Sequence, residues 1–142
     1  MSSAVLDASA LLAYLHDEPG AETVADEIAL GAVISTVNLA EVLARASDHQ
    51  DDPARLAGEM TERGLLGGAI SVESFTDEDA IEVARLRPRT RAQGLSLGDR
   101  ACIALASRLG LPALTADAAW SRIELDVTLR QIPLNSSREG RP

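Results

Sequence analysis

The chain has 142 residues, 46% of them hydrophobic and 25% charged, with a formal net charge of −9. That length fits one domain burying roughly 70% of the surface its unfolded chain exposes, and the acidic balance argues against non-specific nucleic-acid binding over the whole surface while leaving room for a local site. All 13 basic residues are Arg, so P-loop and Schiff-base chemistry are excluded; one Cys cannot form an internal disulfide, and two His with one Cys fall short of the usual zinc sites.

The first apolar run, Ala4-Val5-Leu6, predicts a strand, with Asp7 directly after it. Residues 8–16 follow as a helix with Leu11, Leu12 and Leu15 on one face, closed by Asp17-Glu18-Pro19-Gly20. A second helix spans 22–30 and ends at Gly31, a second strand spans 32–35, and helical period returns over 36–47 with Leu39, Val42, Leu43 and Ala46 as its stripe. After a polar loop over 48–52, which contains His49, Pro53 starts a helix carrying Leu56 and Met60. A strand is expected over 69–72 and a helix over 77–86, which runs into Arg85, Arg87, Arg89 and Arg91. Ser96 with Asp99 three residues on is a capping-box pattern, so a helix spans 97–109 until Gly110 and Pro112 stop it. A short buried strand over 111–115 and a last strand over 127–132 complete the pattern, and 135–142 reads as a flexible tail. Strands alternating with helices imply one three-layer α/β/α domain over 1–134 with a central parallel sheet. No charge-free apolar run is long enough to span a bilayer, and Asp7 interrupts the only apolar run that could serve as a leader, so a soluble cytoplasmic protein is expected.

Asp7 and Asp117 each sit just past a strand, where an open α/β sheet places its ligand-binding groups, although either can serve simply as a helix cap. Asp99 falls on the apolar arc of its helix among Cys102, Ile103 and Ala106, with Leu105 and Leu109, while Arg100, Ser107 and Arg108 form the wet side. A carboxylate on a buried arc costs several kcal/mol unless neutralised or paired, so Asp99 is the acid expected to need a partner. Three carboxylates converging on one rim must be balanced by a cation. Glu41 shares a strip with Asn38 and Arg45, which reads as a solvated pairing with Arg45, whereas Val37, Ala40 and Ala44 form a second flank that would leave Glu41 facing a cleft. The arginine cluster is either a solvated helix end that favours the helix dipole or a phosphate-contacting patch, with Arg87 and Arg89 at its centre. Trp120, Tyr14 and Phe75 are too few for a base-stacking platform, and Trp120 is expected in the core.

Four segments, Val5-Leu-Asp-Ala-Ser-Ala-Leu-Leu12, Ser35-Thr-Val-Asn-Leu-Ala-Glu-Val42, Gly94-Leu-Ser-Leu-Gly-Asp99 and Leu114-Thr-Ala-Asp-Ala-Ala-Trp120, together resemble the PIN domains, and among them the VapC-type toxins of bacterial toxin-antitoxin pairs. The resemblance implies that Asp7, Glu41, Asp99 and Asp117 bind one or two Mg²⁺ or Mn²⁺ ions and that the domain hydrolyses RNA, leaving a 3′-hydroxyl and a 5′-phosphate. Ser9 and Thr115 match positions that support the metal or its waters. A cognate antitoxin that inserts into the acidic groove and a homodimer are the implied partners. The chain departs from the family at Gly98, where Ala is common, and at Ala118-Ala119, which replace a pair that is often charged. Carboxylate oxygens are hard ligands suited to such ions, and two-metal hydrolysis needs no Lys and no protein nucleophile. Phospho-receiver domains and haloacid-dehalogenase-type phosphatases also place Asp at strand ends, but both rely on a Lys that this chain lacks, and the phosphatases' second Asp is Ser9 here. The non-enzymatic alternative is a PIN-like binding module that keeps only the scaffold.

Overall fold

Among the described residues five short strands pair in parallel throughout, in the order β3-β2-β1-β4-β5: β1 (Ala4–Leu6), β2 (Ala32–Ser35), β3 (Ile70–Glu73), β4 (Ala113–Thr115) and β5 (Leu129–Gln131). The computed structural model describes residues 2–47 and 52–133. Among the described residues six α-helices connect and cover the strands: α1 (Ala8–Leu15), α2 (Ala21–Leu30), α3 (Thr36–Ala46), α4 (Pro53–Glu62), α5 (Asp77–Thr90) and α6 (Leu97–Leu109). The polar loop expected over 48–52 lies outside the described residues except for Asp52, which caps α4, and the expected tail lies outside them altogether.

Side chains alternate across the sheet, as strand geometry requires. Ala4 and Leu6 of β1 join Ile34 and Leu114 against Leu11 of α1, Val24 of α2, Val42 of α3 and Met60 of α4. Val5, Val33 and Ala113 point the other way, against Ile103, Leu105 and Ala106 of α6, Leu86 of α5 and the buried Trp120. The domain is therefore the expected three-layer α/β/α arrangement, and the central strands β1, β2 and β4 are fully buried because both faces of the sheet are covered there, whereas the edge strands β3 and β5 carry exposed polar residues. Among the described residues no helix is long and apolar enough to cross a membrane.

Besides shifts of one or two residues at the ends of β3 and β5, three details differ from the sequence reading. The α5 helix does not stop at 86 but continues through Pro88 to Thr90, because Leu86 and Thr90 are both buried and the Thr90 hydroxyl donates to the Leu86 carbonyl at 2.8 Å. Within α6, Leu109 of the expected apolar arc is 36% exposed, whereas Arg100 of the expected wet side is half-buried and donates to the Val83 carbonyl at 2.9 Å. The cause is α5, which packs along that flank of α6 and which the periodicity of α6 cannot register. Finally, β4 begins at Ala113 rather than 111, since Pro112 has no N–H to give to a ladder.

Candidate functional site

The first turn after β1 sets the site. Asp7 caps α1: its Oδ1 accepts from the Ala10 N–H at 2.8 Å and from the Ser9 hydroxyl at 2.7 Å. Its Oδ2 accepts from the hydroxyl of Thr115, the last residue of β4, at 2.5 Å. Because β4 is the direct neighbour of β1, the parallel pairing itself brings Thr115 to Asp7. The two hydroxyls are held in turn, Thr115 Oγ1 accepting from the Asp117 N–H at 3.0 Å and Ser9 Oγ from the Ala116 N–H at 2.9 Å. Each hydroxyl thus spends its one proton on Asp7. Asp117 is exposed and caps a short 3-10 turn over Ala118–Arg122, its Oδ1 accepting from the Ala119 N–H at 2.9 Å. The plainer capping roles of Asp7 and Asp117 are both realised, on the same rim.

Asp7 is 3% exposed, and among the described residues it has no ion pair. Burial pushes its carboxyl up to about 6, against the pull of the Thr115, Ala10 and Ser9 hydrogen bonds and with a further push from the charge of Asp99. The acid that carries the burial cost is therefore Asp7, not Asp99. Asp99 is half-buried, in a first turn of α6 whose Leu97 is 57% exposed, so the helical wheel places it on the correct face but says nothing of its height above the sheet. Its carboxylate completes the expected capping box, Oδ2 accepting from the Ser96 N–H at 2.9 Å while Ser96 Oγ accepts from the Asp99 N–H at 3.1 Å. Burial, and then the charges of Asp7 and Asp99, push the Cys102 thiol well up, so that it stays protonated and inert at neutral pH.

Glu41 makes the pairing with Arg45 that one of its two sequence readings expects. Oε2 pairs with Arg45 at 2.9 Å, while Oε1 lies 2.9 Å from the place a Cβ on Gly98 would occupy, so the carboxylate also faces the start of α6. Asn38, placed by periodicity on the same wet strip, is instead 1% exposed, and its Nδ2 donates to the Gly98 carbonyl at 2.9 Å. Sequence reasoning missed it; nothing within α3 announces that α6 crosses at that point. Arg87 and Arg89 are exposed on the last turn of α5, and the 3-10 turn that follows over Arg91–Gln93 packs against the one after Asp117.

The family model for the PIN domain matches residues 4–125. The chain belongs to the PIN-domain family. No curated protein matches it, but solved PIN-like structures superpose closely. A chain of DNA-bound VapBC from Salmonella typhimurium has a TM-score of 0.67 at 16% identity, over 92% of this chain and 98% of that one. FitAcB from Neisseria gonorrhoeae has a TM-score of 0.66 at 18% identity, over 89% and 96%. VapC20 from Mycobacterium tuberculosis, a toxin that cleaves the sarcin-ricin loop, has a TM-score of 0.65 at 18% identity, over 84% and 93%. At such identities the likeness is one of fold.

Does this PIN domain offer what a divalent cation needs? Among the described residues no three His, Cys, Asp or Glu side chains are gathered closely enough to hold an ion as they stand. The donor chemistry nevertheless fits. Oδ1 of Asp7 accepts two hydrogen bonds and Oδ2 one, which leaves a lone pair on an uncompensated buried carboxylate. Asp99 and Glu41 are half-buried and Asp117 is exposed, so all three are open to solvent, as a site that takes up an ion requires. Oxygen donors of this kind suit Mg²⁺ or Mn²⁺.

Proposed function

We propose that this PIN domain is a Mg²⁺- or Mn²⁺-dependent endoribonuclease, the toxin of a VapBC-type toxin-antitoxin pair, with Asp7, Glu41, Asp99 and Asp117 as its metal-binding and catalytic acids. The observation that carries this reading is Asp7, a carboxylate buried at the carboxyl end of a parallel sheet, beside a second acid, with no cation paired to it among the described residues. A folded chain tolerates such a charge poorly unless something outside it supplies the compensation. Divalent cations, when bound, supply Lewis acidity that activates water and stabilises the departing oxygen of a phosphodiester.

In this reading the protein's own part is orientation. Ser9 and Thr115 fix the Asp7 carboxylate by donating to both of its oxygens, and Asp117 is held at the same rim through its N–H to Thr115. Asp99 presents its carboxylate from the capped first turn of α6, and Glu41 faces that turn from α3. Arg87 and Arg89 take RNA phosphates, their charge opposing the acidic balance of the chain. The cognate antitoxin brings Arg or Lys to the acidic rim, where a guanidinium pairs bidentately with carboxylate and competes with metal. Association with a second copy, residence in the cytoplasm and a nuclease unit over 1–134 belong to the same proposal. Supporting it are the solved structures of like fold, which include VapBC complexes and a toxin that cleaves the sarcin-ricin loop.

The test is RNA cleavage by the purified chain with Mg²⁺ or Mn²⁺, followed by sequencing of the new ends. Cleavage is expected to stop on addition of EDTA and in Asp7→Asn. Undiminished cleavage in excess EDTA overturns the metal dependence. Mn²⁺ binding without cleavage of any RNA offered would point instead to a binding module.

A further inference from the structure

Asn38 and Gly98 lie 60 residues apart and meet where α3 passes the start of α6. The Asn38 side chain is buried; its Nδ2 donates to the Gly98 carbonyl, and its Oδ1 is buried without a partner. That carbonyl lies in the first turn of α6, where helix geometry already gives it a donor in the N–H four residues on, at Cys102. The Asn38 bond is therefore not needed to satisfy it. An unpaired buried acceptor meanwhile destabilises the fold. A side chain that bonds an already satisfied carbonyl and strands its own oxygen adds little to stability; what it fixes is position.

The position it fixes concerns Glu41, one turn further along the same face of α3. Glu41 Oε1 approaches so close to Gly98 that a Cβ there would stand 2.9 Å from it, and Asn38 Nδ2 would stand 3.7 Å away. Both side chains thus converge on the residue that precedes Asp99. On the far flank Val37 packs with Val83, Ala101 and Ala104, an apolar contact that holds α3 in place but sets no register.

We propose that Asn38 is a positioning residue that sets α3 against the first turn of α6, so that the carboxylates of Glu41 and Asp99 reach the same cation. This rests on reading Glu41 as a metal-binding acid, and the test separates the two ideas. Mn²⁺ alone is titrated into the full-length chain by calorimetry, for wild type, Asn38→Ala, Glu41→Gln and the double variant, with urea denaturation alongside. Asn38→Ala should weaken Mn²⁺ binding about tenfold, the lower end of what is seen for residues that orient metal ligands. Asn38→Leu, which removes the stranded oxygen and fills the space, should match that loss while unfolding at no lower urea concentration than wild type, and it serves if the alanine variant does not fold. The double variant should bind no more weakly than Glu41→Gln, because Asn38 acts through Glu41. Wild-type Mn²⁺ binding in both Asn38 variants, with binding weakened in Glu41→Gln, overturns the positioning role alone, as do losses that simply add in the double variant. Wild-type binding in Glu41→Gln removes the reading of Glu41 and the proposal with it.

Discussion

Two carboxylates in this molecule are equally hidden and oppositely treated. Asp7 and Asp79 are each 3% exposed, and each sits at the amino end of a helix. Asp79 accepts two hydrogen bonds from Arg108, Nε to Oδ1 at 3.0 Å and Nη2 to Oδ2 at 3.1 Å, besides the Thr76 N–H of its capping box. Burial alone would raise the Asp79 carboxyl; the hydrogen bonds and charge of Arg108, with the Thr76 N–H, outweigh it and hold the group below the ordinary carboxylate range. Among the described residues Asp7 has three neutral donors and no cation, and its carboxyl rises to about 6. The fold can deliver a guanidinium to a buried acid, and does so between α5 and α6; at the strand ends it does not. Neutral hydrogen bonds orient a carboxylate without compensating its charge, and this is what separates the two acids.

Removing the cation from Asp79 should be the most damaging change. Arg108→Leu leaves that carboxylate buried and unpaired, and because the Arg108 side chain is itself 29% exposed the expected loss is about 2–3 kcal/mol rather than the full value for a deeply buried pair. Urea denaturation reads it, and Mn²⁺ binding should not change. Asp7→Asn should move stability the other way: without metal at pH 7.5 the variant gains about 1–2 kcal/mol, a relieved burial cost less the lost bonds to an ionised acceptor, while cleavage of RNA disappears. A loss in Asp7→Asn as large as that in Arg108→Leu would erase the contrast.

The pH profile sharpens the same point. The folded-state value of about 6 lies above the ordinary 3.8, so the folded chain holds a proton on Asp7 that the unfolded chain has already released. The penalty is absent below about pH 4, grows as pH rises to about 6, and is then constant at roughly 3 kcal/mol. The stability difference between Asp7→Asn and wild type should accordingly open between pH 4 and 6, and saturating Mg²⁺ should close it from above; a difference that stays flat across that range would count against an uncompensated Asp7. The smallest effect is expected from Arg87 and Arg89, exposed on the last turn of α5. Arg87→Ala with Arg89→Ala should leave Mn²⁺ binding intact and lower the log–log slope of RNA affinity against salt by about 2.

How far the sequence reveals all this depends on distance along the chain. The bounds of β1, β2 and α6 are legible because a short apolar run or a capping box marks each locally. The capping box of α5, Thr76 with Asp79, is equally local. The end of α5 is not, since Pro88 and the arginines suggest a stop and only the burial of Thr90 keeps the helix going. The rim could be inferred from Asp7 and Asp117 following strands, yet which acid is buried could not, because depth is decided by neighbouring elements and not by a helix's own period. Asn38 and the Asp79–Arg108 pair fail for that reason: each is defined by a partner on a different helix, 60 and 29 residues away.

The link from Asp7 to Thr115 spans 108 residues, and the sheet that makes it contains no hairpin. On a ribosome the amino-terminal strands can pair with each other once β2 and then β3 have emerged, but β1 gains its other neighbour only when β4 follows. At about 5–20 residues per second, Asp7 spends several seconds of synthesis without the hydroxyl that orients it. Pairing at this separation is also slow in its own right, because loop closure precedes any return from the contact. Early folding can bury much of the apolar layer under α1, α2 and α3, whereas the acidic rim is completed late, by residues close to the end of the domain.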